Sequence, residues 1–105
     1  MTFAQISDCK ICGTYYYNSN SGKEGIIVIN KDGNWQNYIV KNGEEIPAYK
    51  GEWEQDDNGI TIFFLINKGK RIKLTSTPNA KDNMYTGKKG DKRFVVLGNR
   101  YFYRK

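Results

Sequence analysis

With 105 residues and 38% hydrophobic content, the chain is sized for one domain around a single modest core. Its net charge of +6 points to an acidic partner, or else to lysines scattered over a solvated surface. It has no histidine, which excludes Ser-His-Asp and Cys-His catalysis and any His-ligated metal. No apolar run reaches the roughly 18–20 residues of a membrane-spanning helix.

Residues 1–8 read as a short N-terminal arm. Within it, Thr2-Phe3-Ala4-Gln5 places small residues at two positions separated by one, as signal peptidase prefers before its cut. The expectation is export, to the periplasm or the medium, with a cytoplasmic location as the alternative. Next comes Cys9-Lys10-Ile11-Cys12. For zinc this is half a site without its other half. A thioredoxin-like role needs the pair at a helix start inside a βαβ unit, whereas here it leads into Gly13-Thr14-Tyr15-Tyr16-Tyr17, which is strand vocabulary. The choices left are a short disulfide between Cys9 and Cys12 in an oxidising compartment or two free thiols in a reducing one. Export favours the disulfide.

From there the chain alternates β-rich runs with turn formers. Strands are expected at about residues 10–17, 25–29, 34–41 (with Trp35, Tyr38 and Val40), 49–54, 60–66, 71–75, 84–88, 93–97 and 100–104. Lys31-Asp32-Gly33-Asn34, Lys41-Asn42-Gly43-Glu44, Asp56-Asp57-Asn58-Gly59, Asn67-Lys68-Gly69-Lys70 and Lys88-Lys89-Gly90-Asp91 supply tight turns between them. In the fourth run Tyr49, Gly51 and Trp53 alternate with Lys50, Glu52 and Glu54, one face in and one out. In the fifth, Ile60, Ile62, Phe64 and Ile66 form one face, leaving Phe63 and Leu65 as a second apolar face, covered by the arm or open to a partner. Pro47 and Pro78 are expected at strand edges or in loops. The fold class is all-β: a small antiparallel meander barrel of eight or nine strands, filling residues 1–105 as one domain without substantial helix.

An opening Gly-x-aromatic, Gly13-Thr14-Tyr15, and a basic residue on the last strand, Arg100 or Arg104, give the chain a resemblance to the calycin superfamily. That group holds the lipocalins, the avidins and small bacterial barrel inhibitors of proteases. Gly51-Glu52-Trp53 repeats the pattern in mid-chain, and the first-strand residue is Tyr where the family has Trp. The resemblance implies that the first-strand aromatic packs at a closed barrel end beneath the basic residue. The chain's length is similar to that of the small inhibitors, whose N-terminal arm enters a protease cleft.

Three functions follow, in this order. The first is an exported protein of inhibitor or immunity type that blocks another, acidic protein. Its surface would be Phe63 and Leu65 with the basic run Lys68, Lys70, Arg71 and Lys73, an apolar centre with a charged rim. The second is a carrier of a small hydrophobic ligand, held by Tyr15, Trp35, Tyr38, Tyr49 or Trp53 at the barrel mouth, where core packing is the competing role for each. The third, ranked as unlikely, is a single-stranded nucleic-acid module using Tyr15-Tyr16-Tyr17 and Tyr101-Phe102-Tyr103 beside Arg100 and Arg104. No cofactor or metal is expected. The adjacent acids Glu44-Glu45 and Asp56-Asp57 fall on turns rather than across a cleft, so no enzyme is expected either.

Overall fold

The computed structural model describes residues 9–105. The expected arm of residues 1–8 lies outside them. Nine strands form: β1 (Gly13–Asn18), β2 (Glu24–Ile29), β3 (Asn34–Lys41), β4 (Glu44–Gln55), β5 (Thr61–Asn67), β6 (Lys70–Lys73), β7 (Met84–Lys89), β8 (Lys92–Leu97) and β9 (Arg100–Arg104). They make one curled antiparallel sheet in the order β6-β5-β4-β3-β2-β1-β9-β8-β7. Read as a ring, that order is an up-and-down meander. Its seam lies between β6 and β7, because β1 pairs with β9 instead. One parallel bridge between Thr75 and Asn83 spans the seam, so the sheet is a half-barrel.

The turns follow their residues. Asn42 and Gly43 at φ 54° and 80° join β3 to β4. Lys68-Gly69 and Gly98-Asn99 repeat that pair of positive φ angles at the β5–β6 and β8–β9 corners. Two consecutive left-handed residues match the twist of the flanking strands, which is why Asn and Gly recur there. In the wider β4–β5 turn the Asp56 carboxylate accepts hydrogen bonds from the Asn58 and Ile60 amides at 2.9 and 3.0 Å. This is an Asx arrangement that locks the loop.

The concave face carries the core: Tyr15, Ile27, Ile29, Trp35, Phe63, Leu74, Met84, Val95 and Phe102, with Ile11 closing over one end. Its centre depends on an absent side chain. The Trp35 indole on β3 lies across β4 at Gly51, and its Nε1–H donates to the Phe64 carbonyl of β5 at 3.1 Å. A Cβ on Gly51 would lie 2.7 Å from Nε1 and would overlap the Phe64 carbonyl oxygen. Only glycine lets the ring span three strands. Trp53, two residues on, packs against the same core, and its Nε1–H donates to the Asn30 carbonyl at 2.8 Å.

Two sequence expectations change. Strand β4 begins at Glu44 rather than near Tyr49, and Pro47 sits inside it. Only Gly51 to Gln55 of β4 pair with β5. The first half of β4 therefore lines a free border, where a missing N–H is harmless. One extra residue also bulges from β4 between its partners of Gln36 and Tyr38. Strand β1 starts at Gly13 rather than near residue 10, since the preceding residues are taken up by the Cys9–Cys12 loop.

Candidate binding surfaces

The two ends of the half-barrel differ. At one end Cys9 and Cys12 are bonded to each other. Arg104 of β9 donates from Nη1 to the Lys10 and Cys12 carbonyls at 2.8 and 3.1 Å. Its side chain packs on Gly13, and its guanidinium lies 6.0 Å from the Tyr15 ring centroid. The buried Tyr15 hydroxyl donates to the Ile11 carbonyl at 2.6 Å. Burial raises the Tyr15 pKa, and the charges of Arg104 and Arg93 partly offset that rise. Of the two candidate basic residues it is Arg104 that closes this end. Arg100 lies at the other, 5.4 Å from the Tyr17 ring.

The expected partner surface on β5 and β6 is reorganised. Phe63 pairs with Trp53 and Leu65 with Gly51, so both face the core, Phe63 at 1% exposure. Phe63 is covered by the core itself. The outward face of β5 is instead that of Ile62, Phe64 and Ile66. Lys70 and Ile72 share the inner face with Leu65, whereas Arg71 and Lys73 point outward beside Ile66 and Phe64, and Lys68 sits in the turn. Arg71 is also occupied. It donates to Glu52 and Glu54 at 2.8 and 3.1 Å, pairing that raises its pKa, and it lies 3.5 Å above the Phe64 ring. Phe63, Leu65, Lys68, Lys70, Arg71 and Lys73 thus do not share one face.

The aromatics expected to line a barrel mouth also divide. Tyr15 and Trp35 are fully buried core residues, and Trp53 packs beside them. Tyr38 pairs with Ile26 and lies on the convex face, because positions three apart on a strand point opposite ways. Tyr49, at 58% exposure, lines the mouth, which Tyr38 also borders from β3.

The mouth itself was not foreseen in this form. A cleft of about 770 Å³ opens between the β3–β4 hairpin, the β1–β2 loop and the β8–β9 turn. Leu65, Leu74, Leu97, Phe102 and Tyr17 give it apolar walls, and Lys23, Lys81 and Arg100 stand at its border with Glu24 and Asp82. The hairpin runs past the rest of the sheet, and every residue from Lys41 to Lys50 is exposed. Ile39 and Ile46 pair across it on its inner face, at 50% and 43% exposure. Opposite the hairpin, the loop of residues 75–83 is tied down by Asn83. The buried Asn83 amide donates to Thr77 and Asn99 oxygens at 3.1 and 2.7 Å and accepts from the Asn99 amide at 3.0 Å. One wall is therefore a free hairpin and the other a pinned loop.

Among the described residues no three His, Cys, Asp or Glu side chains gather as metal ligands would. No helix among the described residues is long and apolar enough to cross a membrane. No protein-family model, curated protein or solved structure matches this chain.

Proposed function

We propose that the protein is an exported, non-catalytic binding protein of inhibitor or immunity type that blocks another protein, engaging it with the mouth end of the half-barrel. The observation that carries this reading is the β3–β4 hairpin, with Ile39, Ile46 and Tyr49 exposed on its inner face above an apolar cleft. Exposed large apolar residues gathered beside a concave surface mark a contact site rather than a solvated one. Aromatic and aliphatic anchors at the centre with charges at the border are the usual anatomy of such contacts. Lys23, Lys41, Lys81 and Arg100 around the cleft suit an acidic partner. The Cys9–Cys12 disulfide fits an extracellular or periplasmic location. The Tyr15–Arg104 packing is what the calycin resemblance implies, and it supports a calycin-like, lipocalin-type barrel as the evolutionary frame for this reading.

The test is affinity capture from extracts of the source organism, followed by titration of the recovered protein. The Ile39→Asp/Ile46→Asp double variant should keep its fold, since both side chains are half-exposed, and lose at least about tenfold in affinity. Unchanged affinity would refute the mouth as the contact.

The cleft volume favours a second reading, a small amphipathic ligand with an anionic group at Arg100, since small-molecule sites span about 300–1,000 Å³. Displacement of an anionic amphiphilic dye, sensitive to Arg100→Gln and insensitive to Ile46→Asp, which lies outside the cleft lining, would select it.

A further inference from the structure

The convex face of the sheet carries two parallel rows that only the register brings together. Tyr38 pairs with Ile26, Ile26 with Tyr16, Tyr16 with Tyr103 and Tyr103 with Phe94. Paired residues of an antiparallel ladder share a face, so these side chains form one row from β3 to β8. Tyr101 broadens the row. Its ring lies 5.1 Å from Phe94 and 6.4 Å from Tyr103, at 22° to the latter. Tyr16 and Tyr101 keep 38% and 44% of their surface exposed.

Two residues closer to the disulfide end runs a second row. Lys89 pairs with Lys92 across the β7–β8 hairpin, and the β8–β9 register continued two residues past its last pair, Phe94 with Tyr103, sets Lys105 beside Lys92. The Lys105 ammonium lies 4.7 Å from the Tyr16 ring centroid, which joins the two rows. All three lysines are exposed, and the ion pairs among the described residues both belong to Arg71. Neither row contains an acidic side chain.

We propose that this face binds single-stranded nucleic acid, with bases on the aromatic row and phosphates along Lys89, Lys92 and Lys105. The ligand must present planar faces on one rail and negative charge on a parallel rail about two strand residues, roughly 7 Å, away. A single strand has that construction: every base offers a π-face, and its backbone runs alongside. An acidic peptide offers the charge without the planar rail. The face has no acidic or amide side chain in the aromatic row to read base edges, so binding is weak and sequence-tolerant. The site lies on the opposite face of the sheet from the mouth and does not depend on the function proposed there.

The experiment is fluorescence anisotropy of a labelled mixed-sequence DNA oligonucleotide across a salt series. Three phosphate contacts on a single strand give a slope of log K against log salt of about −2. Replacing Lys89, Lys92 and Lys105 together by Gln should bring the slope close to zero. Tyr16→Ala and Tyr101→Ala should each weaken binding at least about fivefold and leave the slope unchanged, because stacking releases no counterions. The lysine variant sits on exposed positions, so it remains informative if an aromatic variant unfolds. Absence of binding at low salt would overturn the proposal. So would heparin binding as tightly as the oligonucleotide with neither affected by the tyrosine substitutions, a result that assigns the face to anionic polysaccharide.

Discussion

Replacing Gly51 by Ala should be among the most damaging single-methyl additions in the protein. The new Cβ overlaps the Phe64 carbonyl oxygen and lies 2.7 and 2.8 Å from Nε1 and Cε2 of Trp35. Neither neighbour gives way easily. The carbonyl belongs to a paired strand, and the indole is 1% exposed and packed on all sides. Forcing an extra methyl into a packed core costs about 1–3 kcal/mol. Displacing Trp35 also breaks its 3.1 Å hydrogen bond to Phe64, worth about 1 kcal/mol more. The sum, about 2–4 kcal/mol, lowers Tm by about 10–25 °C in a domain of this size. Thermal unfolding followed by near-UV circular dichroism, which sees the tryptophans, measures it directly. Gly43→Ala is the control: nothing lies within 4 Å, so the cost is only the strain of φ 80° in a hairpin tip. A Gly51→Ala protein as stable as wild type would refute the packing of Trp35 across β4.

At the disulfide end, Arg104→Leu should cost about 2 kcal/mol, because it removes charged hydrogen bonds to the Lys10 and Cys12 carbonyls; denaturant unfolding at constant m-value checks this. Thiol titration of the native, unreduced protein should find no free sulfhydryl. Reduction should lower stability by no more than about 2 kcal/mol, since the bridge closes a very short loop. Tyr15 has a folded-state pKa raised by burial, so its contribution to stability is complete below the unfolded value near 10 and is lost as pH climbs from there through the raised value. Unfolding free energy that increased above pH 10 would contradict its burial as a neutral phenol.

Much of the fold was legible because the turn residues are chemically specific. Asn42-Gly43, Lys68-Gly69 and Gly98-Asn99 place corners to within a residue, and strand vocabulary fills the spaces between them. Faces were legible where polar residues alternate, as in Tyr49 to Glu54. They were not legible in β5, where both faces are apolar and the choice between Phe63 and Phe64 is made by pairing with Trp53 and Glu52. The separation of Trp35 from Tyr38 follows from strand parity alone. The mouth and the lysine row were hidden for another reason. The cleft is walled by residues from Tyr17 to Phe102, and Lys89, Lys92 and Lys105 meet only through the β7–β8–β9 register. In the free half of β4 a bulge follows Pro47, the one residue there whose missing N–H marks an unpaired border.

The claim that the mouth end holds another protein is tested most directly by photo-crosslinking in cells of the source organism. A photoreactive residue at position 49, on the inner side of the hairpin, should yield one discrete protein adduct. That adduct should disappear in the Ile39→Asp/Ile46→Asp background and should be absent when the probe replaces Asp32, at the other end of the half-barrel. No adduct at position 49, or the same adduct from both positions, would contradict the account.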